Sequence, residues 1–197
     1  MSGKSQYDES TVINAAVGVF WRHGFAMASI SDLTEATGLS RSSIYQRFGD
    51  KDGLFNESLE CYVDRVIIRM KSIRKPSAKA SIEALLRDFF PRDPDATRPS
   101  GCLLFRSCVE KADLSTIAQA SVNKGVSRQY NVFLEILKSG VSQGELGENV
   151  DLEALAWYYF SILQGVVNLP PAGASFEALN NLVDIAMSAW PKLDELM

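Results

Sequence analysis

Apolar residues recur along this chain at three- and four-residue intervals, and no stretch alternates over a strand's length between hairpin signals. Each element the pattern predicts is therefore a helix. Val12, Ile13, Ala16, Val19 and Phe20 share one face, which predicts a first helix from about Asp8 to His23 with Gly24 at its C-terminal cap. Ser29, with Asp32 three residues on, forms an N-cap and short capping box for a second helix from about Ile30 to Thr37, ended by Gly38. Ser40 caps a third helix, Arg41 to Phe48, which Gly49 ends. Asp50 caps a long fourth helix that runs towards Lys75 and stops at Pro76.

The remaining helical patterns cover about Ser81–Phe90, Cys102–Lys111, Leu114–Gln143 (open to a break near Gly125), Leu152–Asn168 and Phe176–Trp190. Three prolines, a glycine and charges make Pro91 to Gly101 the clearest loop. Asp151 is an N-cap, and Pro170-Pro171-Ala172-Gly173 separates the last two helices. The fold class is all-α.

The stretch from Ser29 to Phe55 carries the most specific signal. Two short helices flank a three-residue turn, Gly38-Leu39-Ser40, which is the helix-turn-helix arrangement with its glycine in the turn. Ile30, Leu33, Leu39, Ile44 and Phe48 pin the two helices together and onto the first. Arg41, Ser42, Ser43, Tyr45, Gln46 and Arg47 are left facing outward. All of them hydrogen-bond and none is acidic, which suits base edges and phosphates in a major groove. An ordinary helical hairpin with solvated polar residues is the plainer alternative.

Composition narrows the class. The 197 residues are 46% hydrophobic and 22% charged, enough to bury a core in one compact domain or one with an appendage. The net charge of −4 is uneven: residues 1–80 hold 11 Lys and Arg against 9 Asp and Glu, and residues 81–197 hold 9 against 15. The basic residues Arg65, Arg69, Lys71, Arg74 and Lys75 near the end of the fourth helix read as a solvated face that complements the helix dipole. Met1 to Asp8 lacks a signal peptide's apolar core, and Ala154–Leu169, interrupted by Ser161, Gln164, Gly165 and Asn168, falls short of the ~20 residues of a membrane span. The expectation is a soluble, cytoplasmic protein with no membrane partner.

Cys61, Cys102 and Cys108 form no CxxC pair and His23 is the one histidine, so no metal site or cofactor is expected and the thiols read as free. His23 reads as a helix-end histidine stabilised by the dipole. Cys102 opens a helix with Arg106 one turn on, the kind of setting that can activate a sensor thiol, although buried inert cysteine is commoner.

The motif resembles the TetR family of transcriptional regulators. Its residues here are Gly38, Ser40, the small pair Ser42-Ser43, Ile44, Tyr45, Phe48, Lys51 and Leu54, in the family's order, spacing and N-terminal placement. Gly101-Cys102-Leu103-Leu104, followed by Glu110, also looks like one branch of it. Two positions depart from the pattern. Thr34 stands where Ala is usual, and Gly53 stands where a polar helix former is commoner, which predicts a small packing shift and a looser start to the fourth helix.

The resemblance implies a helix-turn-helix DNA-binding domain over 6–52 and a helical effector-binding and dimerisation domain over 53–197. It implies phosphate contacts from Ser29 and Lys51, Tyr45 against the backbone or a thymine methyl, and bases faced by Arg41, Ser42, Ser43 and Gln46. Ser40 belongs to the same surface, and Arg47 meets a phosphate or a base, phosphate preferred. The middle helices would enclose a pocket lined by Leu86, Phe89, Phe90, Leu104, Phe105, Phe133, Leu137, Trp157 and Phe160, suited to an apolar or aromatic small molecule.

The last two helices are apolar on most faces and need more cover than the chain easily gives. A homodimer through Leu155, Tyr159, Ile162, Leu163, Val166, Leu179, Val183, Met187 and Trp190 is the expectation, and the resemblance implies the same. The function so implied is a ligand-responsive repressor that a small molecule releases from a palindromic double-stranded operator. An all-helical enzyme, for which no nucleophile–base pair is evident, and a helical small-molecule carrier are the alternatives.

Overall fold

The computed structural model describes residues 8–91 and 99–191. Among them the regular structure is helical: α1 (Glu9–Met27), α2 (Ile30–Thr37), α3 (Arg41–Phe48), α4 (Lys51–Ser72), α5 (Ala78–Asp88), α6 (Leu103–Val109), α7 (Thr116–Ser142), α8 (Leu152–Asn168) and α9 (Phe176–Ser188). Single 3₁₀ turns occupy Lys111–Asp113 and Pro170–Ala172. The expected loop from Pro91 to Gly101 and the N-terminal segment before Asp8 fall largely outside the described residues.

The chain forms two compact units, one of residues up to 65 with 99–125, the other of 66–91 with 126–191. Residue 52, where the sequence divides the domains, lies inside α4.

The first unit is built around aromatic rings. Phe20 and Phe25 of α1 meet Phe55 of α4 edge-on, with centroids 5.2 and 5.1 Å away. Leu33, Ile44 and Leu54 are fully buried beside them, at ~1.5–3 kcal/mol of burial each. Thr34 is accommodated because its hydroxyl donates back to the Ser31 carbonyl at 2.8 Å, so no buried polar group is left over. Gly53 does not loosen α4. Its N–H donates to Asp50 Oδ1 at 2.8 Å, and a Cβ there would stand 1.9 Å from the Phe48 carbonyl oxygen, so only glycine fits this tight first turn. Gly125 does not break α7 either; it lets the helix lie against Leu104 and Val63.

The second unit packs Ile82, Leu85 and Leu86 of α5, Val132, Phe133, Ile136 and Leu137 of α7, and the inner faces of α8 and α9. Here α5 begins at Ala78 rather than near Ser81. Ser77 caps it, and Glu145 accepts the Ala78 and Lys79 N–H groups at 2.8 and 3.2 Å. Ser81 is buried, its hydroxyl donating to the Ser77 carbonyl at 2.9 Å. The basic end of α4 is more committed than a solvated face. Arg69 pairs with Asp88 and stacks on Phe89, Lys71 pairs with Glu135, and Arg74 donates to the terminal Met70 and Ile73 carbonyls, as the helix dipole favours. No described helix is long and apolar enough to cross a membrane.

Candidate nucleic-acid interface

The helix-turn-helix is fixed by local bonds at the start of each of its helices. Ser29 Oγ accepts the Asp32 N–H at 3.1 Å while Asp32 accepts the Ser29 N–H at 2.9 Å, a complete capping box that starts α2. The Ser29 hydroxyl bond, with its backbone bond, holds the Asp32 carboxyl below its ordinary range. Gly38 ends α2 in the left-handed region at φ 71°. Ser40 then starts α3, accepting the Ser43 N–H at 3.1 Å, with its hydroxyl 2.9 and 2.8 Å from those of Ser42 and Ser43. Leu33, Leu39, Ile44 and Phe48 are buried, as their spacing requires.

That leaves Arg41, Ser42, Tyr45, Gln46 and Arg47 exposed along α3, with Ser43 half-buried and Tyr45 45% exposed. Two carboxylates beside this helix, Glu9 and Glu57, are paired with Arg47. Arg47 forks between Glu9 of α1 and Glu57 of α4, with Nη1 3.0 Å from Glu57 Oε1. Its guanidinium also lies over the Phe48 ring, 4.8 Å from the centroid. Arg47 therefore ties the end of α3 to two other helices, which commits the charge that the sequence assigns to phosphate. Lys51, half-buried, donates from Nζ to the Ala28 carbonyl at 2.9 Å and sits 4.4 Å above the Phe25 ring. The stem is thus held at the mouth of α2, next to Ser29. Two of its three ammonium hydrogens remain for an anion.

The other predicted residues separate by place. Leu104 is buried and Phe105 is 42% exposed, both in the first unit. In the second unit Leu86, Phe90, Phe133, Leu137 and Phe160 are buried and Phe89 is half-buried, while Trp157 is 50% exposed, stacked on Tyr130 at 4.5 Å. Phe160 joins Phe133 at 6.4 Å and Trp157 at 5.7 Å, an aromatic chain between α7 and α8. Of the residues assigned to a dimer face, Tyr159, Leu163, Val166, Leu179, Val183, Met187 and Trp190 are already buried within the chain. Leu155 and Ile162 are half-buried. The exposed large apolar residues on and just after these two helices are Trp157, Leu169, Phe176 and Ile185, the last 68% exposed, with Ile162 and Leu182 among those half-buried. The apolar stripe read on each helix is its core stripe; the second face is shallower.

Cys102 is buried beside the Tyr62 hydroxyl, 3.4 Å from Sγ, and burial pushes its thiol up, as it does that of Cys108. That is the reverse of the activation a sensor thiol needs.

Comparison with known proteins agrees with this geometry. The pattern of bacterial regulatory proteins of the tetR family matches residues 12–58, and that of the tetracyclin repressor-like C-terminal domain matches residues 78–181. The HTH-type transcriptional repressor ComR of Escherichia coli K12 is 27% identical over 95% of this chain and 90% of its own. The repressor AcnR of Corynebacterium glutamicum is 24% identical over 93% of this chain and 92% of its own. Among solved structures, a cysteine mutant of the TetR-family regulator CifR, complexed with a 26bp double-strand operator, has a TM-score of 0.83 and 29% identity over 95% of this chain and 99% of its own. The C-terminal match alone spans more than half the sequence, and with the N-terminal one it establishes that the chain belongs to the TetR family and is a DNA-binding transcriptional regulator rather than an enzyme.

Proposed function

We propose that this regulator is a homodimeric repressor that binds a two-fold symmetric operator through α3 and leaves it when a neutral small molecule binds the second unit. The observation that carries the DNA reading is the surface of α3. Arg41, Tyr45 and Gln46 are exposed together on a helix that carries no acid, between the caps Ser29 and Ser40 and the held ammonium of Lys51. Arg41 suits a guanine edge and Gln46 an adenine edge, while Lys51 suits phosphate; Ser29, whose N–H and hydroxyl both donate to Asp32, starts α2 beside it. Arg47 acts as a brace rather than a contact. The family binds DNA as dimers, and the exposed Leu169 and Ile185 with the half-buried Ile162 and Leu182 supply apolar surface for a second copy. The place of action is the cytoplasm, with the chromosome.

The effector reading rests on one side chain. Gln129 of α7 is 1% exposed, one helical turn before Phe133, and its amide nitrogen has no acceptor among the described residues. The other buried polar residues, Ser58, Ser81 and Ser107, donate to carbonyls of their own helices or the chain just before them. No charged residue is fully buried among those described, so burying a charged ligand deep in this unit would be costly. A neutral molecule with one hydrogen-bonding oxygen would satisfy this amide.

Selection from a random oligonucleotide pool tests the DNA reading. A two-fold symmetric motif, with half-sites about 10 bp apart or a multiple of that, is expected. Recovery of no symmetric motif would overturn the two-fold reading of the operator.

A further inference from the structure

The run Gly101-Cys102-Leu103-Leu104 with Glu110 is left without a role by the DNA reading, and its acid has an unusual position. Glu110 follows α6, yet its carboxylate reaches α1, where Oε2 accepts the Phe25 N–H at 2.6 Å. That N–H needs an outside partner because the helix breaks there. Gly24 has φ 77° and ψ 174°, so Phe25 cannot continue the ladder of α1. Phe25 is buried and the bond itself part-buried, so an acceptor lost here would be replaced by water only in part. Arg106, one turn before Glu110, completes the joint. Its Nε donates to Glu110 Oε1 at 3.2 Å and its Nη2 to the His23 carbonyl at 3.0 Å.

The far side of the same turn carries Lys51. The Gly24 carbonyl accepts the Ala28 N–H at 3.3 Å, and the Ala28 carbonyl accepts Lys51 Nζ at 2.9 Å. The Phe25 ring lies under that ammonium at 4.4 Å. The next residue is Ser29, the N-cap of α2. One five-residue turn, 24–28, thus has a carboxylate on one side and, on the other, Lys51 and the cap Ser29 that starts α2. The fit is close: a Cβ on Gly24 would stand 1.9 Å from Glu110 Oε1.

We infer that Glu110 is a positioning residue for DNA binding: by holding the Phe25 N–H it sets the 24–28 turn, and through it the place of the Lys51 ammonium and of Ser29. The inference rests on the reading that Lys51 meets phosphate. Glu110 touches no DNA and, being acidic, would weaken binding if it acted by field alone.

Four variants test it on a duplex that the wild type selects from a random pool, by anisotropy over a salt series. Glu110→Met keeps the length and removes the acceptor; Glu110→Gln keeps an acceptor oxygen. Gly24→Ala disturbs the joint from the other side, and Lys51→Met removes the ammonium. Glu110→Met and Gly24→Ala are expected to bind about tenfold more weakly, with a salt slope shallower by about one, as Lys51→Met does. Glu110→Gln is expected to stay within about threefold of wild type. The Phe25 amide should exchange faster in Glu110→Met and stay protected in Glu110→Gln. A merely structural loss lowers affinity without changing the slope, and that result overturns the inference. So does wild-type binding by Glu110→Met or Gly24→Ala where Lys51→Met is impaired. An unchanged Lys51→Met overturns the phosphate reading itself, and the inference with it.

Discussion

Replacing Gln129 with methionine is expected to make the ligand-free protein more stable. Most core substitutions destabilise, by about 0.5–3 kcal/mol. Here the native side chain carries a cost. Its amide nitrogen is buried, with no acceptor among the described residues, at a position 1% exposed. A buried donor left unmade costs roughly 1–3 kcal/mol. Methionine has nearly the length of glutamine and is unbranched, so the change opens no cavity and forces no rotamer against Phe133. The expected gain is about 1–2 kcal/mol, or an unfolding temperature about 3–6 °C higher for a chain of this size. Guanidinium unfolding followed by circular dichroism, at one fixed protein concentration because self-association couples to stability, reads this as a higher midpoint at unchanged m. The same variant should lose its response to neutral aromatic ketones while keeping its DNA affinity. A lower midpoint would refute the reasoning: Gln129 would then be a paired structural residue, and the effector site would have to lie elsewhere.

Further expectations follow from single contacts. Tyr159→Phe removes a buried hydroxyl that has no hydrogen-bond partner among the described residues, at a residue 0% exposed, and should be neutral to stabilising by about 1 kcal/mol in the same unfolding assay. Gly53→Ala, favourable in an ordinary helix, should here destabilise by about 1–3 kcal/mol because the new methyl meets the Phe48 carbonyl at 1.9 Å. Arg47→Ala should cost about 1 kcal/mol or less, since its side chain is 40% exposed, and should weaken DNA binding without changing its salt slope. The Asp32 carboxyl is held below its ordinary 3.8 by Ser29, so its support of α2 is complete above that value and lost as pH falls through the lowered one. Asp32→Asn should abolish that part of the acid dependence in a dichroism titration.

The helix-turn-helix was legible nearly to the residue, because every signal in it is local. Ser29 with Asp32, Gly38, Ser40 and Gly49 start and stop helices through bonds within a few residues. The start of α5 was only half legible: its cap Ser77 is local, but Glu145, which meets its first N–H, is 67 residues away. The role of Arg47 was hidden for the same reason: Glu9 is 38 positions upstream. Glu110 was visible as part of a motif but not as a partner of Phe25. On α8 and α9 periodicity found the apolar stripes correctly and could not say which of two apolar faces points inward. Gln129 left only one faint mark, a lone amide on an otherwise apolar stripe between Gly125 and Phe133.

Sequence reading by α3 is the central claim, and Arg41→Ala tests it most directly. Its affinity should be measured beside wild type on the selected duplex, on that duplex with each half-site guanine replaced, and on unrelated DNA, all at one salt concentration. The prediction is that Arg41→Ala loses about 1–3 kcal/mol on the selected duplex, no longer distinguishes the replaced guanine, and binds unrelated DNA with almost unchanged strength. Equal losses on all three duplexes, or none on any, would contradict the claim that this helix reads the operator.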